Sequence, residues 1–184
     1  MITFFPSNKL LFNALNSLSS LACPRCGAVG LFKRHGYIRG WLSPNQRGIR
    51  AYRIYCNTRR GGCGHAPSLR LSSVLPHRFL HADTLWSFLR GLLRGRSVKA
   101  SWEAARTGIA LDSAYCLLRA ITRNLSAIRT LLLARAPPPS VEKGAQTELL
   151  QTLHHLQEVF GKSHAIRAFQ EQTHCGFPKG TTAL

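Results

Sequence analysis

Apolar residues recur along the chain with two different periods. Between residues 31 and 56 they alternate with basic ones, in LFKRHGYIRG and GIRAYRIYC, and Gly36, Gly40, Pro44, Asn45 and Gly48 interrupt the run. Period-two alternation bounded by turn residues predicts two strands of a small antiparallel unit, joined by a loop over residues 40–48. From about His81 the period becomes helical. Leu85, Phe88, Leu89 and Leu92 share one face, with Asp83 near the start and Gly95 at the stop. A second helix runs from a Ser97 cap towards Gly108, and a third opens at Asp112 as N-cap and meets no breaker before Pro137, Pro138 and Pro139. Upstream, Leu10, Leu11, Ala14, Leu15 and Leu18 fall on one helical face, with Ser7 placed to cap it. Downstream, Leu149, Leu153, Leu156 and Phe160 keep helical spacing up to Gly161, and a shorter helix is expected over 165–172.

These periods divide the chain into an N-terminal amphipathic helix (1–20), a small β unit (21–76), a three-helix segment (77–136) and a proline-linked helical tail (137–184). The fold class is therefore α+β. No apolar run is long enough to cross a bilayer, and Asn13, Asn16 and Ser17 break the N-terminal stretch that superficially resembles a signal peptide.

Charge sharpens this division. The net charge is +18, and residues 1–136 hold 21 Lys and Arg against three acids, whereas residues 137–184 hold four of each. Concentration of positive charge on one part of a chain points to a polyanionic partner there, and a preponderance of arginine suits phosphates and base edges. Double-stranded DNA is the expected partner. Tyr37, Trp41, Tyr52 and Tyr55 lie among the basic hairpin residues, where they could also stack unpaired bases.

The β unit has too little core to stand without a staple, and the cysteines offer one. In CPRCG, Cys23 and Cys26 form a two-residue-gap half-site of the kind that turns a chain around zinc. The second half, CNTRRGGCG, places six residues between Cys56 and Cys63, with Arg60 where a close-set cysteine would stand. The best ligand set is Cys23, Cys26, Cys56 and Cys63; His65 in place of Cys56 is the fallback, and His35 is a more distant one. Paired cysteines in a basic chain favour metal over disulfide and a reducing cytoplasm. Four protein ligands leave no open coordination position, so the Zn2+ is expected to be structural. The inserted residues form a glycine-hinged loop that displays Arg59 and Arg60 as phosphate contacts, with a simple solvated loop as the alternative.

Residues 97–123 have the pattern of a helix-turn-helix, with Gly108 and Ile109 at the turn. On the second of its helices Leu117, Ile121 and Leu125 form an apolar stripe, while Tyr115, Arg119 and Arg123 form another on the far side. With Ser113 near the helix start, that second stripe is what a major-groove helix presents. The expected nucleic-acid contacts are these four residues together with Lys33, Arg34, Arg39, Arg50, Arg53, Arg59 and Arg60 of the β unit.

The order CPRCG, basic hairpin, second cysteine pair ending CG, then helix-turn-helix resembles the N-terminal DNA-binding region of insertion-element transposases and their small accessory proteins. YCNTRRGGCGHAPSLRL followed by LWSFLRGLLRG is similar to a family of bacterial zinc-ribbon proteins of unknown function related to those elements. The resemblance covers about residues 20–135. It implies a zinc ribbon with four cysteine ligands, DNA contact through the hairpin and the third helix, and association with the bacterial nucleoid. HAPS stands where such ribbons often carry a threonine followed by an aromatic residue.

Catalysis is not expected. Transposases of this type use three carboxylates holding two divalent metals, whereas this chain has seven acids, four of them in the tail. A non-catalytic transposition-associated or regulatory DNA-binding protein is the leading expectation. The alternatives are an adaptor docking on a transposase or other catalytic protein, and the DNA-binding fragment of a split transposase. The tail helix is a candidate homodimer contact, with packing on the chain's own core as the simpler role.

Overall fold

The computed structural model describes residues 2–43, 46–76, 78, 80–140 and 147–178. Strands β1 (Ile2–Phe5), β2 (Phe32–Ser43), β3 (Gln46–Cys56) and β4 (Ser68–Leu71) form one sheet in the order β1-β4-β3-β2. β1 pairs parallel to β4, and the other neighbours are antiparallel. The expected hairpin is present but longer than its turn residues suggest. Pairing continues through Gly40 and Gly48 to Ser43 and Gln46, so most of the expected loop over 40–48 is strand. Pro44 and Asn45 lie outside the described residues. Three register shifts accommodate the irregular sequence, the first at Gly36, whose φ of +118° favours a residue without a side chain.

Helix α1 (Asn8–Asn16) begins where Ser7 accepts a hydrogen bond from the Leu10 N–H. It buries Leu11 and Leu15 against the sheet, where they join Leu18, Phe32, Ile54 and Leu69 in one apolar cluster. Leu10, expected on that face, is 48% exposed.

The remaining elements are helical. α2 (Ala82–Leu93) closes with a Schellman turn: Arg96 N–H donates to the Gly91 carbonyl and Gly95 N–H to that of Leu92. α3 (Val98–Ala104) is capped by Ser97, as expected, and packs against α2 where Gly91 faces Ser101. The third expected helix is two, α4 (Asp112–Arg123) and α5 (Leu125–Leu133). The break falls at Asn124, whose side-chain amide donates to the Ala120 carbonyl at 2.7 Å and so competes with the backbone ladder. Asp112 is the first helical residue rather than the cap, a position held by Leu111 without a side-chain bond.

α6 (Glu148–Phe160), capped by Thr147, and α7 (Ala165–Thr173) pack onto the preceding helices. Leu153, Leu156, Ile166 and Phe169 share one cluster with Leu85, Phe88, Leu89, Ile121 and Ile128, so the segment after the prolines belongs to the helical core. Two polar side chains tie that core to the sheet. Gln170, fully buried, donates from Nε2 to the Ser72 carbonyl and accepts the Phe177 N–H at Oε1. Arg167 reaches the Pro6 carbonyl and Asp83. No helix among the described residues is long and apolar enough to cross a membrane.

Candidate metal centre and basic faces

The first cysteine turn is closed by backbone bonds from Cys23 N–H to Ala28 O and from Gly27 N–H to Cys23 O, with Gly27 at φ +72°. The second is built differently. Cys56 ends β3, and the six-residue insertion folds into a tight 3₁₀ turn over Thr58–Arg60, capped by the Asn57 side chain on the Arg59 N–H. Gly61, at φ +85°, reverses the chain, and the Gly64 N–H returns to the Cys56 carbonyl. Gly62 is required for a separate reason: a Cβ there would lie 2.6 Å from Cys56 Sγ. The loop thus folds inward at its base while Arg59 and Arg60 stay exposed at its tip.

Cys23, Cys26, Cys56 and Cys63 form no disulfide, and their sulfurs lie within 4.8 Å of one another. Cys23 Sγ is 3.6 Å from Cys63 Sγ, and Cys26 Sγ is 3.8 Å from Cys56 Sγ. A tetrahedral zinc at about 2.3 Å from each thiolate holds its sulfurs about 3.8 Å apart, close to these two separations, so the cluster could hold a metal ion. The histidine fallbacks lie outside it. His65 contributes its backbone carbonyl to the Cys56 N–H, and the His35 ring meets Tyr55 edge-on at 5.3 Å.

Cys26, Cys56 and Cys63 are electrostatically unequal. The Ala28 N–H, more than any other group, brings the exposed Cys26 down to about 7. Burial pushes Cys56 up to about 12. Cys63 gains a lowering hydrogen bond from the His65 backbone, but burial and the Cys23 and Cys26 sulfurs leave it raised overall.

The chain matches no family model, no curated protein and no solved structure.

Function is therefore to be read from the surfaces around the cluster. Lys33, Arg39, Arg53, Arg59 and Arg60 are exposed, as expected of contact residues. Arg34 is exposed but partly engaged, donating to Leu15 O and Asn16 Oδ1 at the end of α1. Arg50 departs from expectation. Its guanidinium turns inward and donates to the carbonyls of Trp41, Leu75 and Arg78, fastening the hairpin to the segment before α2, and burial lowers its pKa. Arg70, on β4, is 6% exposed with its Nε unpartnered among the described residues; burial first, then Arg50, lowers its pKa.

On α4, Ala114, Leu117 and Ile121 are buried in the helical core, while Tyr115, Arg119 and Arg123 are exposed and Ser113 is half-buried. An open groove of about 920 Å³ runs along this outer face, lined by Tyr115, Cys116, Leu118, Arg119, Thr122 and Arg123. Arg78 completes its wall. Nothing in the sequence marked Arg78, because its place depends on Arg50 drawing the linker against the hairpin.

Proposed function

We propose that this chain is a non-catalytic DNA-binding protein in which a zinc ribbon, stapled by Cys23, Cys26, Cys56 and Cys63, carries a helix-turn-helix that reads duplex DNA through α4. The observation that supports it most is the outer face of α4. Three arginines (Arg78, Arg119 and Arg123) and Tyr115 line one groove with no carboxylate in its wall among the described residues, while the opposite face of the same helix is fixed in the core. A helix anchored on one side and cationic on the other can enter a groove without losing its own packing.

α3 and α4 flank a turn that Trp102 of α3 ties down, its Nε1 donating to the Ile109 carbonyl at 2.8 Å. Zinc, held by four thiolates, would supply folding energy to the ribbon and leave no position open for water activation. The non-catalytic part of the reading rests on the scarcity of acids, seven in the chain with four of them in the tail. Asp83 is taken by His164 and Arg167, and Glu148 pairs with Arg129. A role beside a transposition system, regulatory or accessory, fits this reading, with the transposase as the natural protein partner.

The test is a selection of bound sequences from a random duplex pool, comparing wild type with an Arg119→Ala, Arg123→Ala variant. The variant should lose the selected preference and bind roughly tenfold or more weakly, since each bidentate base contact is worth about 1–3 kcal/mol. An unchanged preference would remove α4 from the reading role.

A further inference from the structure

The far end of the β2–β3 hairpin carries a second, separate surface. Cross-strand partners point to the same side of a sheet, so the pairs Trp41 with Arg47 and Arg39 with Ile49 share one face. Tyr37 joins them, because the Arg39 guanidinium lies 5.0 Å from its ring centre and donates to its hydroxyl. Arg47 lies in turn 4.6 Å over the Trp41 ring. Between these residues is an open depression of about 600 Å³ floored by Gly40 and Gly48.

The opposite side of the same strands is occupied. A Cβ at Gly40 would meet the Arg50 side chain at 2.6 Å, and one at Gly48 would meet Leu42 at the same distance. Arg50 there is bonded into the linker before α2. One side of the hairpin end is therefore held and the other is presented outward. On the presented side Tyr37 is 50%, Trp41 42% and Ile49 40% exposed, an unusual concentration of apolar area at the tip of a strand pair.

We infer that this face is a stacking site for unpaired bases of single-stranded nucleic acid. The physical case rests on pairing two kinds of group. Exposed aromatic rings offer π-faces to bases of any sequence, and guanidiniums within reach of each ring meet the phosphates and extend the stack. Among the described residues the lining contains no acid and two arginines, so the surface is complementary to a polyanion and not to a basic peptide. Of Tyr37, Trp41, Tyr52 and Tyr55, the first two face outward here, whereas Tyr52 packs edge-on against Phe12 at 5.9 Å and Tyr55 against His35. The site is distinct from the α4 groove, and of the expected duplex contacts it includes only Arg39.

The tryptophans make the site directly observable. The chain has three. Trp86 and Trp102 are 1% and 3% exposed, with their indole N–H groups donating to backbone carbonyls, so Trp41 is the one an oligonucleotide can reach. The experiment titrates the zinc-loaded full chain with a thymidine oligonucleotide of about ten nucleotides, within the range such sites cover, and follows tryptophan emission. Parallel arms use a uridine oligonucleotide and an abasic strand with the same number of phosphates. Anisotropy of labelled oligonucleotide then compares wild type with Trp41→Ala, Trp41→Phe and Arg47→Ala.

Saturable quenching is expected, with abasic strand and Trp41→Ala each binding roughly tenfold more weakly and Trp41→Phe close to wild type. Quenching by thymidine and uridine strands alike supports stacking on either sugar, and a preference between them names the strand. Duplex binding should be unchanged in Trp41→Ala, whereas Arg119→Ala, Arg123→Ala should impair duplex and spare the oligonucleotide. Absence of single-strand binding, bound oligonucleotide that leaves emission unchanged, or abasic strand binding as tightly as thymidine would each overturn the site, whatever the duplex result. Equal binding by wild type and Trp41→Ala would do the same.

Discussion

A methyl group at residue 62 would stand 2.6 Å from the Cys56 sulfur and 2.7 Å from the Asn57 carbonyl oxygen, both fixed by the turn that closes the cysteine cluster. Gly61, one position earlier, has open space around it and only its φ of +85° to protect. The two glycines therefore differ in kind. Gly61→Ala carries the left-handed backbone cost of about 1 kcal/mol, whereas Gly62→Ala must displace a cluster sulfur or the turn. In a zinc competition assay with a chromophoric chelator, Gly62→Ala is expected to weaken metal binding by well over tenfold and Gly61→Ala by less than that. Equal effects would show that Cys56 is not held by the insertion. Cysteine spacing was enough to mark out the four thiols, because two short turns of chain could bring them together. It could not distinguish the uses of Gly61 and Gly62, since one depends on a torsion angle and the other on a sulfur brought close only by the folded turn.

At the scale of elements, the helices were legible and the short strands were not. α2 and α6 follow from stripes that persist over several turns and stop at Gly95 and Gly161, α3 follows from its Ser97 cap, and the shorter α7 falls where a helix was expected over 165–172. β1 and β4 are four residues each, too short to show alternation, and they exist because they pair with one another and because β4 pairs with β3. Asn124 divides α4 from α5 through a side-chain bond that composition does not announce. Leu10 is exposed because α1 meets the sheet along a line through Leu11 and Leu15, narrower than the apolar stripe in the sequence.

The joint between the helical core and the sheet also depends on tertiary placement. Gln170 sits on α7 with nothing nearby in sequence to explain a buried amide, yet it satisfies backbone groups from two other segments. Gln170→Leu keeps the volume but strands the Ser72 carbonyl and the Phe177 N–H. Chemical denaturation should show a loss of about 1–3 kcal/mol with zinc content unchanged. A neutral result would mean that α7 is held by its apolar contacts alone.

Across the whole molecule, charge and packing divide the labour in the same way. The electrically neutral segment after residue 136 supplies α6 and α7, which bury their apolar faces in the helical core and leave the basic part of the chain to the outside. That part presents the exposed arginines of the hairpin and insertion, and the face of α4, with Arg50 joining the hairpin to the linker that carries Arg78. On the proposed function, duplex DNA is bound mainly through counterion release, provided the cysteine cluster holds its zinc. The most direct test measures duplex binding by anisotropy across a salt series, before and after zinc is stripped by a chelator and again after zinc is restored. Affinity should fall about a thousandfold or more between roughly 50 and 200 mM salt, vanish on chelation and return with zinc. Binding indifferent to both salt and chelator would contradict the account.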